Sequence, residues 1–294
     1  MGKLKSALSN LIKQRKSNVH SGHTRCESQP RVVKKRKRSA LNECPYVPGE
    51  RILLVGEGNF SFALSICQFY SEPSDLSRII ATALDNEKTC YEKYPDAREN
   101  IERLRQKGVC VMFEVDATRL ASYKSLRGKT FHKIIFNFPH AGAGIKDQDR
   151  NILINQKLIS GFFSSATPFL AQKFEENGEN SLEYSDEEDR QYSERRNYVK
   201  NLNRNGEILI TIKSGSPYDL WNIRRLAKAT GELVCRTSFL FIPEDFPGYQ
   251  HRRTLGYKEG VSKNSNIEIV QKEPRTYIFV RKSATEDEIP KKEK

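Results

Sequence analysis

Short apolar runs alternate with stretches of helical periodicity through the middle of the chain. The apolar runs are rich in Ile, Leu, Val and Phe, and they predict strands at residues 51–56, 78–84, 109–115, 131–137 and 207–213. A strand that is buried on both faces is a continuous apolar run, and such strands separated by helices are typical of a parallel sheet. The pattern therefore predicts an α/β fold with helices on both faces of a mostly parallel sheet.

Two segments next to these strands have clear helical spacing. Residues 151–166 predict a long helix whose buried face comprises Leu158, Ile159, Phe162, Phe163 and Ala166. Residues 216–231 predict a second helix, in which Ser216 can cap the first turn, Pro217 suits that turn and Gly231 can end the helix. Its buried face is predicted to comprise Leu220, Ile223 and Ala227.

The last part of the chain adds two β-rich runs, at residues 233–242 and 275–282, with no helix-length apolar pattern between them. We expect an antiparallel pair, which brings the predicted sheet to seven strands with an antiparallel terminal strand. Residues 172–205 are different, because they contain nine acids between Glu175 and Glu194 and few apolar anchors. Burial cannot offset the entropy of ordering such a segment, so a flexible acidic insertion is predicted.

Positive charge is concentrated at the beginning of the chain. Residues 1–38 contain twelve Lys or Arg and one acid, Glu27, and so carry +11 of the net charge of +13. The basic run at residues 31–38 is typical of nuclear targeting or polyanion binding, and a solvated tail without a partner is the alternative. We therefore predict a basic tail at residues 1–44, one domain at 45–282 and a charged tail at 283–294.

Several classes of protein are disfavoured by what the sequence lacks. The six cysteines form no C-x-x-C pair and have no regular spacing with the five histidines, so neither a zinc site nor a disulfide framework is indicated. The chain has no run of eighteen apolar residues. We expect a reduced, intracellular protein with no bound metal and no membrane span, and we expect a monomer.

A glycine turn follows the first predicted strand and precedes an apolar helix start. Its predicted ligand-binding residues are Gly56, Glu57, Gly58, Asn59, Phe60 and Ser61. Glycines let the backbone approach a ligand closely and leave N–H groups free to bind it. The dinucleotide fingerprint G-x-G-x-x-G lacks its third glycine here, and such turns are also common structural devices. The turn alone therefore indicates a Rossmann-like nucleotide site only weakly.

Two acids at the ends of the next strands narrow the choice of ligand. Asp85 follows the second predicted strand, where an acid would hydrogen-bond the ribose hydroxyls of a nucleoside. Asp116, followed by Ala117, ends the third and would lie near an adenine amino group. Either acid alone could be a helix cap. Together with the glycine turn, they favour an adenosyl ligand.

The fourth strand ends in Asn137-Phe138-Pro139-His140, which has the form of the Asn-Pro-Pro-Tyr-like signature of methyltransferases that modify planar nitrogens. An Asn amide can bond the edge of a base, Phe138 or His140 can stack on its face, and Pro139 stiffens the turn. The structural alternative is a strand that ends in a proline turn.

Several motifs in order resemble a known family over about residues 45–282: GEGNFSFA, YEKYPDARENIERL, FEVDAT, IIFNFPHAGAGIKDQDRNI, GSPYDLWNIRRLA and FPGYQHRRT. They are similar to the eukaryotic 25S ribosomal RNA uridine-N3-methyltransferases. The resemblance implies a class I methyltransferase fold, S-adenosylmethionine as cofactor, ribosomal RNA or a pre-ribosomal particle as partner, and a nucleolar location. Phe60 departs from the general class I pattern G-x-G-x-G, whose last glycine it replaces.

Uracil N3 lies on the pairing edge of the base and carries a proton, so the base must be unpaired and the proton lost. His140 is the first candidate to assist that loss and Asp147 the second, while the alternative is that His140 only stacks or hydrogen-bonds and water takes the proton late. Methylation at carbon 5 needs an attacking cysteine, and none lies between Cys110 and Cys235.

Contacts with RNA are predicted for basic and aromatic residues after the fourth strand and before the last, with solvated basic faces as the alternative. These residues are Lys146, Arg150, Tyr249, His251, Arg252 and Arg253. Two other functions stay open from the residues alone. A nicotinamide oxidoreductase would share the glycine turn but would leave Asn137 to His140 unexplained, and a non-catalytic RNA-binding assembly factor would retain the tail.

Overall fold

The computed structural model describes residues 46–142, 147–173, 203–254 and 265–283, which form one seven-stranded sheet in the order β3-β2-β1-β4-β5-β7-β6. The strands are β1 (Ile52–Val55), β2 (Ile79–Thr82), β3 (Cys110–Met112), β4 (Lys133–Asn137), β5 (Glu207–Ile212), β6 (Leu233–Leu240) and β7 (Arg275–Arg281). The α-helices are α1 (Ser61–Ile66), α2 (Pro73–Leu76), α3 (Glu87–Lys93), α4 (Ala97–Gln106), α5 (Gln148–Ala166), α6 (Ile223–Ala229) and α7 (Ser265–Gln271).

The predicted α/β sheet is confirmed in all seven strands. Strands β1 to β5 are parallel to one another, and β7 is antiparallel to both of its neighbours, β5 and β6. The last strand in the chain therefore lies inside the sheet, and β6 is at its edge. The predicted tail at residues 1–44, most of the predicted insertion at 172–205, residues 284–294 and Lys146 lie outside the described residues.

Both faces of the sheet are covered, as the apolar runs predict. In β1, Ile52 and Leu54 pack into the core on one face, and Leu53 and Val55 pack into the core on the other. The first core includes residues of α1 and α4, and the second includes residues of α5 and α6. Burial on both faces accounts for the continuous apolar composition of the central strands.

The long helix predicted at residues 151–166 is confirmed and begins slightly earlier, at Gln148. Its first turn is capped by Asp147, whose Oδ1 accepts a hydrogen bond of 2.7 Å from the backbone N–H of Arg150. Four of its five predicted buried residues are fully buried, and Leu158 is partly buried at the edge of the same core. This helix covers the sheet beside β4.

The continuous helix predicted at residues 216–231 is wrong. A short 3₁₀ turn at Tyr218–Trp221 comes first, Asn222 adopts a left-handed conformation with φ 48°, and only then does α6 begin. The break changes which side chains of residues 218–221 point into the core. Leu220 is 51% exposed, and Trp221 is buried instead. Ile223 and Ala227 are buried as predicted.

A further difference lies between the last two strands, where no helix is predicted but α7 is present. It is seven residues long and buries Ile269 while Ile267 and Val270 remain exposed. A helix with one buried anchor leaves little periodic signal in the sequence. None of the helices in the described part of the chain is long and apolar enough to cross a bilayer.

Candidate active site

A cavity of about 1080 Å³ opens at the carboxyl ends of the parallel strands. The loops after β1, β2, β4 and β5 border it, together with one face of α5 and the segment at residues 249–254. Ligands bind at this edge in open parallel sheets, because each strand there delivers a loop to the same crevice. Most of the predicted site residues therefore meet in one place.

The glycine turn after β1 forms one wall of the cavity through Gly56, Glu57, Gly58 and Asn59. Gly56 has φ +71°, and a Cβ atom on it would lie 2.4 Å from Cε2 of Phe136. The backbone N–H of Glu57 donates to the carbonyl oxygen of Thr82 at 2.8 Å, which ties the turn to the end of β2. Glycine is thus required at position 56 by both conformation and space.

Phe60 and Ser61, predicted to bind the cofactor, have side chains that lie outside the cavity lining. Phe60 begins α1 with φ 60°, and its fully buried ring packs against Phe113 with 5.8 Å between centroids. The Ser61 hydroxyl donates to Oδ1 of Asn59 at 2.9 Å and accepts from the backbone N–H of Gln250 at 3.0 Å. Both side chains therefore stabilise the glycine turn through contacts outside the cavity.

Glu57 carries a partly buried carboxyl group at the cavity wall. Its Oε2 accepts a hydrogen bond of 3.3 Å from the backbone N–H of Ala63, and no lysine or arginine in the described part of the chain pairs with it. Burial raises the pKa of this carboxyl to about 7, and the hydrogen bond from Ala63 opposes that shift. An acid in this setting is suited to a cationic ligand.

The two strand-end acids also border the cavity. Both carboxylate oxygens of Asp85 accept from Nζ of Lys93, at 2.7 and 2.9 Å. Oδ1 of Asp116 accepts from the backbone N–H and the hydroxyl of Thr118, each at 2.8 Å, so this acid does cap a 3₁₀ turn. Oδ2 of Asp116 has no hydrogen bond to any described residue and remains an acceptor beside Ala117, which also lines the cavity.

The turn at residues 137–140 also forms part of the cavity wall. Phe138 has φ 52°, and its N–H donates to the carbonyl oxygen of Thr211 at 2.7 Å. Its ring packs against His251, with 4.6 Å between centroids, and against Phe241. Pro139 is buried, and His140 lies at the cavity mouth with its ring 6.2 Å from that of Trp221.

The hydrogen bond at the His140 ring determines what its nitrogens offer. Nδ1 accepts from the backbone N–H of Gly142 at 2.9 Å, so the neutral ring carries its proton on Nε2. Partial desolvation, followed by the nearby charge of Lys213, lowers the pKa of His140, which favours this neutral form. In this arrangement His140 is a hydrogen-bond donor, and the lone pair needed by a general base is engaged.

Asp147, the second predicted base, is exposed and does not line the cavity. It caps α5 through Arg150, which is exposed on the first turn of the same helix. The capping bond accounts for Asp147 without a catalytic role.

The segment at residues 249–253 differs from the exposed RNA-binding row that the sequence predicts. Tyr249 is buried against Phe62, and its hydroxyl is 3.2 Å from Nδ1 of His251, which is also buried. Arg252 pairs with Oδ2 of Asp96 at 2.9 Å. All three line the cavity together with Gln250 and Arg253, which are exposed.

Sequence reasoning missed several residues of the cavity wall, chiefly Tyr94, Lys213, Tyr218 and Trp221. Lys213 directly follows β5, so the strand-end rule that found Asp85 and Asp116 could also have found it. Trp221, the single tryptophan of the chain, does not follow a strand. It lies in a 3₁₀ turn, within residues 216–231, for which the sequence predicts one continuous helix.

Comparison with known proteins adds a match to one family model. Residues 53–253 match the BMT5-like family, rRNA (uridine-N3-)-methyltransferase BTM5-like. The chain belongs to this family. Its members are S-adenosylmethionine-dependent rRNA uridine-N3-methyltransferases, and the resemblance inferred from the motifs is thus confirmed, as are the enzyme class and the cofactor.

The chain is also similar to several individual proteins. The chain is 35% identical over 258 residues to the 25S rRNA (uridine(2634)-N(3))-methyltransferase of Saccharomyces cerevisiae, covering 80% of this chain and 74% of that protein. It is 30% identical to the heavy metal-associated isoprenylated plant protein 41 of Arabidopsis thaliana, over 72% of this chain and 34% of that protein. The solved 16S rRNA methyltransferase KamB matches with a TM-score of 0.38 and 10% identity, covering 80% and 88% of the two chains.

The contact between Gly56 and Phe136 predicts a stability difference between two matched substitutions. Gly128 has the same φ of +71° as Gly56, but nothing lies within 4 Å of its added Cβ. Gly128→Ala should cost about 1–2 kcal/mol from left-handed backbone strain alone. Gly56→Ala should cost a further 1–3 kcal/mol, on the order of other overpacked sites. Urea unfolding of both variants measures this, and equal losses would contradict the contact.

Proposed function

We propose that this chain transfers a methyl group from S-adenosylmethionine to N3 of a uridine in large-subunit ribosomal RNA, with cofactor and base in the same cavity. One observation carries the proposal. The acids Glu57, Asp85 and Asp116 line the same cavity as the turn at residues 137–140. Its volume of about 1080 Å³ is slightly above the roughly 300–1,000 Å³ typical of a single small-molecule site.

The cofactor side of the cavity fits S-adenosylmethionine in its donor and acceptor groups. Glu57 lacks a cationic partner among the described residues and would take the ammonium of the methionine part. Asp85 would accept from the ribose hydroxyls while it keeps Lys93, and the second oxygen of Asp116 would accept from the adenine amino group. The bound cofactor supplies a methyl group on a sulfonium, which is electrophilic without help from a metal.

On the substrate side, the protein's residues orient the base and manage its charge. The target uridine leaves its stack to reach the cavity, and the turn at residues 137–140 holds its edge. His140 donates from Nε2 to a uracil carbonyl, and Lys213 stabilises the negative charge that grows as the imide proton leaves to water. Holding the acceptor nitrogen in line with the methyl group supplies much of the acceleration.

The remaining basic residues would bind the RNA backbone and determine where in the cell the protein is found. Arg253 is exposed in the cavity lining and Arg150 is exposed on the first turn of α5, and both would bind phosphates, which carry little sequence information. The basic residues 1–38 would raise RNA affinity and direct the protein to the nucleolus, where the large-subunit RNA is made. The protein would act as a monomer on RNA or on a pre-ribosomal particle.

The proposal predicts the loss of one 3-methyluridine from large-subunit RNA in cells that lack the protein. Mass mapping of that RNA should show the modification restored by the full chain and by a Lys124→Ala control, which changes an exposed residue outside the cavity lining. Asp116→Ala should fail to restore it, and a chain without residues 1–38 should be depleted from the nucleolus. Unchanged RNA, or full rescue of growth without restored methylation, would favour the assembly-factor alternative.

Cofactor affinity should depend on pH through Glu57. Because its pKa is raised to about 7, the carboxyl is mostly neutral below that pH and charged above it. A cationic ligand binds the charged form, so affinity should rise between about pH 5.5 and 7.5, up to tenfold for each pH unit below the pKa. Calorimetry with Glu57→Gln should give weaker, pH-independent binding. The neutral fragment 5′-methylthioadenosine is the matched control ligand. Equal pH dependence of binding for this fragment and for S-adenosylmethionine would contradict the role of Glu57 in binding the ammonium group.

The rate of methyl transfer should separate His140 from Lys213. If His140 orients the base through a hydrogen bond to a uracil carbonyl, His140→Ala should lose on the order of 10²–10³-fold in rate at every pH, because the lost orientation does not depend on ionisation of the imide. Lys213→Met should lose most at neutral pH and recover at alkaline pH, where the imide ionises unaided. Single-turnover profiles across pH measure both. Recovery of His140→Ala at high pH would instead identify His140 as a general base.

A further inference from the structure

The side chain of Asn137 ends a row of hydrogen-bonded groups that crosses three strands. Asn137 on β4 pairs with Thr211 on β5, and Thr211 pairs with Thr276 on β7. The Thr211 hydroxyl lies 2.7 Å from Oδ1 of Asn137 and 2.8 Å from the Thr276 hydroxyl. Both threonines are buried, with 1% and 4% of their surface exposed, so water does not compete for these groups.

The burial of Thr276 fixes the direction of the row. Its hydroxyl has one partner among the described residues, Thr211, and a buried hydroxyl proton needs an acceptor. Thr276 therefore donates to Thr211. The single proton of Thr211 is then directed to Asn137, which must present its oxygen to receive it.

The consequence for Asn137 is that its amide cannot turn over freely. With Oδ1 held by Thr211, Nδ2 is left buried and without a hydrogen-bond partner among the described residues. Asn137 also lines the cavity. An unpaired buried N–H₂ group is costly, and a ligand that brings an acceptor removes that cost.

We propose that the row from Thr276 through Thr211 sets Asn137 as a hydrogen-bond donor and thereby selects uracil over cytosine. This inference rests on the proposed function, since it assigns the base selectivity of the same site. Uracil carries carbonyl acceptors on both sides of N3, whereas cytosine carries an amino donor at C4. An amide that presents N–H can donate to a carbonyl of uracil. In cytosine the same N–H₂ group would face the C4 amino group, which is also a donor.

Thr211 and Thr276 act as positioning residues, because they reach the base only through Asn137. Their hydroxyls can be removed with little change of shape by Thr211→Val and Thr276→Val, and retained in Thr211→Ser and Thr276→Ser. Without the Thr211 hydroxyl, the Asn137 amide is free to turn and to present its oxygen to an amino group.

The test measures binding of a short polyadenosine RNA that carries one central uridine or one central cytidine. Fluorescence anisotropy with S-adenosylhomocysteine present gives the ratio of the two affinities, and methyl transfer to the same RNAs is measured in parallel. Thr211→Val should reduce the preference for uridine by about 10- to 100-fold, as expected for the loss of a matched polar pair. Thr211→Ser should restore it, and calorimetric affinity for S-adenosylmethionine should not change in either variant.

An unchanged affinity ratio in Thr211→Val would overturn the inference, as would a failure of Thr211→Ser to restore a reduced ratio. If Thr211→Val does not fold, Thr276→Val and Thr276→Ser give the same comparison from the far end of the row. A wild-type chain that prefers uridine in binding but transfers no methyl group would contradict the proposed function while the row retains its role.

Discussion

The ring of Phe136 lies beside Gly56 so closely that a single added carbon would overlap it. Phe136 pairs with Val55 in the parallel ladder between β4 and β1, and its ring also packs edge-on against Phe162 of α5 at 5.0 Å. One side chain thus holds the glycine turn, the end of β4 and the long helix at a fixed spacing. Asn137 is the next residue, so the distance between the two halves of the cavity depends on this contact.

The site is built partly from residues whose place follows from the local sequence and partly from residues whose place depends on contacts between separate parts of the chain. Asp85 and Asp116 follow apolar strands directly, and the alignment of parallel strands brings them together in the way that the sequence predicts. Tyr249 is different, since its burial depends on contacts with Phe241 and with Phe62, and Phe62 lies far from it in the chain. No local pattern around Tyr249 separates a surface aromatic from one in a cavity wall.

The same limit applies to individual atoms. The sequence could place Asn137, the last residue of β4, and His140, which follows that strand, in the candidate site, but their hydrogen-bonding character could not be predicted. A backbone N–H at Gly142 decides which nitrogen of His140 bears the proton, and two threonines on other strands decide which end of the Asn137 amide is free. Residue type gives the range of possible chemistry, and hydrogen bonds formed in the folded structure determine which part of that range is used.

The interior position of β7 has a consequence for how the protein is made. During synthesis β5 and β6 leave the ribosome before their common partner exists, so β5 presents an open edge beside the cavity. The sheet cannot be completed by adding strands outward in chain order, because β7, the final strand, lies between β5 and β6. Thr276 arrives on that strand. Base recognition would therefore be assembled last, which keeps an unfinished chain from engaging RNA with a fully formed site.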